Sequence, residues 1–161
     1  MDKLLWILLF APIFILMHAY QADQELAVHA FFRAKYGLNY AVHAAAQQVD
    51  EEKLAHGVLS IDEEKALKTA MRCLRSNLQL DDANMPLQDA FFKSRIDVLE
   101  FEVIGEEANF PYHYVHPVYD YEVTLHKPGV IMIIQVEYPR IFGVLEPISW
   151  QVKSSAELYL H

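Results

Sequence analysis

Hydrophobic and polar positions change period along this chain. Leu4–Tyr20 is apolar without interruption and holds no Asp, Glu, Lys or Arg. From Gln21 to Asp50 apolar residues recur every three or four positions, and the same period returns after Ser60 as far as Leu78. From Ile96 onward the period falls to two. An all-round apolar helix, amphipathic helices and half-buried strands give these patterns in turn. Helices first and strands after predict an α+β fold. Its parts are an amino-terminal transmembrane helix running on into a long helix, a second helix, and an antiparallel sheet of about four strands. Residues 1–21 are the anchor, 22–95 the helical region and 96–161 the sheet, packed with the helices as one domain.

As a helix the apolar run reaches roughly 25 Å, near the lower limit for a membrane span. A cleaved signal peptide competes with an anchor. Its small-x-small cleavage site is poorly met, because Met17-His18-Ala19 and Tyr20-Gln21-Ala22 put large residues where small ones belong. The anchor reading fits better. Membrane helices accommodate a proline such as Pro12, and Trp6 and Tyr20 stand near the two ends, where amphipathic rings favour the headgroups. A buried helix of a soluble protein is the third reading, ranked below the anchor because the run is apolar on every face. Lys3 before the span, with Asp23 and Glu25 after it, predicts a cytoplasmic amino terminus and the bulk of the chain outside the cell membrane.

In the long helix, Ala27, Phe31, Ala34, Leu38, Ala41, Val42, Ala45 and Val49 share an arc of about 100° and form its core-facing stripe. His29, Phe32, Tyr36, Tyr40 and His43 line up on the other side, as the candidate partner-binding face. Either the carboxy-terminal half or the membrane interface covers them, or they meet another protein. Glu51–Leu59 reads as a connector. Ser60-Ile61-Asp62-Glu63 matches a capping box for a second helix, whose apolar face is Leu67, Ala70, Met71, Leu74 and Leu78. Lys65, Lys68, Arg72 and Arg75 populate the rest as a solvated face. Asp81–Pro86 ends the helical half; it lacks the Gly and Glu that a calcium loop requires.

Among the strands, Leu99, Phe101 and Val103 alternate with glutamates, and Tyr119, Tyr121, Val123 and Leu125 alternate with polar residues. Val130–Val136 is apolar on both faces and should be central. His126-Lys127-Pro128-Gly129 has turn chemistry and predicts a hairpin between the last two. A final strand over Ile148–Leu160 puts Trp150, Val152, Ala156 and Leu158 on one side, after a loop bracketed by Pro139 and Pro147 and containing Gly143.

Charge narrows the partners. Lys and Arg number 13 against 22 Asp and Glu, a net charge of -9, which argues against nucleic acid and anionic lipid headgroups. The single cysteine, Cys73, excludes an internal disulfide and reads as a small hydrophobe beside a helix face. No glycine-rich phosphate loop or nucleophile elbow is present. His113-Tyr114-Val115-His116, with His126 or His161 as a third ligand, is a low-specificity metal pattern, read as surface histidines beside tyrosines. No cofactor, metal or catalysis is expected.

The layout resembles the TadE-like minor pilins (pseudopilins) of tight-adherence, type IV-like pili. The likeness rests on the apolar segment, the alanine-rich run Ala41-Val42-His43-Ala44-Ala45-Ala46-Gln47-Gln48-Val49-Asp50, and a strand-rich half with Val136-Glu137-Tyr138-Pro139 and Ser154-Ser155-Ala156-Glu157-Leu158. It implies a membrane-anchored, structural component of a surface filament or secretion apparatus, with other assembly proteins or itself as partners. Met1-Asp2-Lys3-Leu4 offers no glycine ahead of the apolar stretch, and that stretch no glutamate, so prepilin-peptidase processing is not expected. The alternative is an anchored extracytoplasmic binding or sensor domain using an aromatic loop over Tyr112–Tyr121; an anchored hydrolase or metal enzyme ranks third.

Overall fold

The computed structural model describes residues 2–138, 140 and 146–159. One unbroken helix, α1 (Asp2–Ala46), runs from the apolar segment into the folded head. By length and composition it can cross a membrane, and none of its most apolar window is buried. The first buried residue is Asp23, where Arg140 Nη1 lies 3.1 Å from the carboxylate. Beyond it Ala27, Ala30, Ala34, Leu38, Ala41, Val42, Ala45 and Ala46 are buried, with Phe31 and Val49 packed at the margin. The core stripe therefore falls where its spacing puts it.

The connector contains a short helix, α2 (Glu51–Ala55), capped by the Asp50 side chain. On either side of it Val49 and Ile61 form an antiparallel bridge. Flanking hydrogen bonds run from Asp50 N to Ser60 O and from Asp62 N to Gln48 O. This bridge displaces the predicted capping box. Ser60 and Ile61 are committed to extended pairing, so α3 (Glu63–Leu78) starts later, with Asp62 as its cap accepting from Lys65 N at 3.0 Å. Its buried line is Ala66, Ala70, Leu74 and Leu78. Steps of four drift around a helix, which leaves Leu67 43% exposed, contrary to the predicted face, while Met71 is half-buried and packs against the core as predicted. α3 runs back down α1 as far as Gly37, where an added Cβ would lie 2.6 Å from the Leu78 side chain.

Five strands follow: β1 (Asp97–Ile104), β2 (Tyr112–His116), β3 (Tyr121–Leu125), β4 (Gly129–Tyr138) and β5 (Ile148–Glu157). They form two sheets instead of one of four strands. β4 is central in an antiparallel sheet ordered β1-β4-β5, and β2 pairs only with β3. The hairpin predicted between β3 and β4 is absent because β1 and β5 take both edges of β4. Gly129 begins β4, packed so closely on β5 that an added Cβ would sit 2.7 Å from Ala156 O. A bulge between Val98 and Glu100 shifts the phase of β1. Val98, Phe101 and Val103 consequently join the core, and Leu99 does not. Trp150, Val152, Ala156 and Leu158 share the predicted side of β5. Leu160, Pro139 and Gly143 lie outside the described residues.

The head thus has three layers. α1 and α3 cover one face of the sheet through Val130, Met132, Ile134 and Val136. The β2–β3 hairpin covers the other, where Tyr114 and Leu125 meet Ile104 and Ile131.

Ile134 is fully buried and Gln135 beside it is exposed. Ile134→Asp places a charge between helices and sheet without a partner. It should cost about 3–5 kcal/mol, whereas Gln135→Ala should stay within about 0.5 kcal/mol. Denaturant titration of the purified full-length chain checks the contrast.

Candidate functional site

The side of α1 turned from the core carries the candidate residues. Phe32, Tyr36 and Tyr40 are 47%, 60% and 68% exposed, so neither the sheet nor the hairpin covers them. The head does hold them in place. Phe32 stacks on Tyr36 with centroids 6.2 Å apart, and packs edge-on against Phe31, which meets Trp150 of β5 in the same way. His29 is exposed, 4.0 Å from Glu25 one turn earlier.

A groove of 470 Å³ runs along this side. His29, Phe32, Tyr36 and Tyr40 form one wall, joined by Arg33, Asn77 and Phe91. The Arg33 guanidinium sits 5.4 Å over the Phe91 ring, and Phe91 stacks on Tyr138. Four of the five candidate residues therefore line one surface feature; His43 is exposed further along and does not line it. Arg33 was legible as a neighbour of the stripe by its spacing. Asn77 and Phe91 arrive from α3 and from the segment before β1, and no local pattern announces them.

A groove of aromatic rings with a cation and an amide favours contact with another surface: rings bury large areas at low conformational cost, and they anchor many protein interfaces. Among the described residues that line it, no nucleophile is paired with a base.

A comparison with protein families, curated proteins and solved structures finds no match. The chemistry of the chain rests on its own geometry.

The histidine pattern does not converge. Tyr112–His116 is a strand instead of part of a loop, so His113 and His116, three apart, point to opposite faces. His113 meets Glu122 at 3.2 Å and Thr124 at 3.2 Å. His116 meets Glu100 at 3.4 Å and stacks on Tyr119 at 4.6 Å. His126 is exposed, and His161 lies outside the described residues. Among the described residues no three His, Cys, Asp or Glu side chains are grouped to hold a metal. The tyrosines of the supposed aromatic loop belong to the hairpin layer. Tyr114 is buried, and burial first and the Glu102 carboxylate second push its hydroxyl well above the ordinary tyrosine range. Cys73 is half-buried at the core margin.

One electrostatic contact ties the far end of the head together. Glu106, after β1, accepts from Lys53 of α2 and from the Ser60 hydroxyl. These two hydrogen bonds lower the Glu106 carboxyl from 4.5 to about 2. A lowered folded-state pKa stabilises the fold above the unfolded value and loses that contribution as pH falls through the folded one. The stability difference between wild type and Glu106→Gln should be constant above about pH 5.5, shrink below pH 4.5, and vanish near pH 2. Melting temperatures of both proteins across pH 2–7 check this.

Proposed function

We propose that this chain is a single-pass, membrane-anchored, non-catalytic pilin-like component of a surface filament or of a pilus or secretion assembly apparatus. Its amino terminus is cytoplasmic and its head lies outside the membrane. The observation that carries the reading is the unbroken helix α1, exposed and apolar in its first half and alanine-lined in its second. A continuous helix transmits position and load directly from bilayer to head, which suits a structural subunit. The exposed row His29, Phe32, Tyr36 and Tyr40 is its partner-binding face, on the same helix just beyond the span, with His43 at its far end. Other assembly proteins or further copies of the chain are the partners, and no cofactor is required.

Alkaline carbonate should leave the protein in the membrane pellet, and intact mass should include Leu4–Tyr20. A soluble product beginning near Gln21 would refute the anchor.

Cysteines at Tyr36 and Tyr40, with Cys73 changed to Ser, should crosslink to a neighbour in native membranes. Cysteines at the buried positions Leu38 and Ala45 should stay shielded. Replacing Phe32, Tyr36 and Tyr40 with Ser should abolish the partner contact, since truncating a central aromatic anchor costs more than about 1–2 kcal/mol of binding. Free labelling of these positions by a water-soluble thiol reagent would count against an interface.

A further inference from the structure

The outer face of α3 concentrates positive charge on an acidic protein. Lys65, Lys68, Arg72 and Arg75 fall within about 80° of one another around the helix, away from the buried line. Lys65 is held by Asp62 and Arg75 by Asp82. Lys68 and Arg72 are exposed and take no ion pair among the described residues. Lys68 and Arg72 line a groove of 590 Å³ together with Met71, Leu80 and the acidic pair Asp81 and Asp82.

The other side of the head carries the opposite charge. Glu100, Glu102, Glu107 and Glu122 lie on β1, the loop after it and the hairpin; Glu107 and Glu122 are exposed. The nearest partners of Glu100 and Glu122 are histidines, His116 and His113.

The two surfaces stand at the same height. α3 runs from the Val49–Ile61 bridge down to Gly37. Strand register places Glu100 across from Ile133 and Lys153, whose carbonyl accepts from Lys35 of α1. At the upper end Glu106 reaches Ser60, beside that same bridge. The acidic side therefore spans the levels of α1 from Lys35 to its end, and the basic face lies within them. Even the lower end of α3, level with Gly37, is roughly 25 Å beyond Tyr20. That exceeds the physiological screening length of about 8 Å, so lipid headgroups do not explain the stripe.

We propose that the partner of the α3 basic face is the acidic β1–hairpin side of a second copy of this chain. The proposal rests on the anchored reading, because copies sharing a bilayer stand upright at one level and bring the two surfaces into register. Since the surfaces differ, the contact is heterologous and propagates from copy to copy as an open line or a closed ring.

The test uses full-length, differently tagged chains co-expressed in membranes in a Cys73→Ser background. One carries Ser76→Cys on α3 and the other Thr124→Cys on the hairpin, both exposed positions. Oxidation should give a dimer containing both tags, and little dimer from either chain alone. Lys68→Glu with Arg72→Glu on the first chain should abolish the mixed dimer. Adding Glu107→Lys with Glu122→Lys on the second should restore it. A mixed dimer indifferent to the first pair of substitutions, failure of the second pair to restore it, or equal dimer from one chain alone would overturn the proposal. Melting curves of the purified variants establish that each is folded. Carbonate pelleting of the same samples reports the anchor separately: pelleted protein without the mixed dimer refutes the contact alone, and soluble protein refutes the anchor.

Discussion

Close approach along the small-residue face of α1 is the constraint on which the head depends. Six of its buried residues between Ala27 and Ala46 are alanine. Side chains that small let the helix lie close to β4, β5 and α3 together, and Gly37 admits Leu78 where even a methyl group would collide. Dispersion contacts weaken steeply with separation, so a larger residue at these positions would push both neighbouring layers outward. The same face sets where the head begins. At its foot the Asp23–Arg140 pair is largely buried, so the carboxylate is held by a partner and not by water.

The other layers answer the needs of β4. A strand apolar on both faces requires neighbours at both edges and a cover on each side. β1 and β5 supply the edges, the helices cover one face and the hairpin the other. Polar contacts fasten these covers at their margins: Tyr121 bonds Ser155, His116 meets Glu100, and Ser154 donates to Asn39 at 2.7 Å. This division turns the outer faces of α1 and α3 to solvent, one aromatic and one cationic, with Lys68 and Arg72 taking no ion pair among the described residues. The head thus presents two dissimilar faces and an acidic far side in different directions.

Legibility followed the range of the interactions. The stripe Phe32, Tyr36 and Tyr40 was readable because α-helical spacing alone sorts residues into faces, and its exposure follows from the alanine face opposite. The opposite wall of the groove, Asn77 and Phe91, was not readable, since it depends on how far α3 descends along α1. Ser60 had the chemistry of a cap, and Asp62 took the role because a bridge to Val49 fixed Ser60 and Ile61 as extended. His113 and His116 have a low-specificity ligand spacing and read as surface histidines; what the sequence did not show is that their segment is a strand, which turns residues three apart to opposite faces.

The sequence by itself determined the helical order, the uncharged apolar run, the core stripe of α1 and the centrality of β4, because each follows from a period or from composition within one segment. Tertiary structure alone decided that β3 pairs with β2, that β1 carries a bulge, and that the sheet divides into three strands and two. Alternation states which face of a strand is wet and says nothing of which edge it meets. Partner choice among strands is a competition for the edges of β4, and β1 and β5, far apart in the chain, take them both.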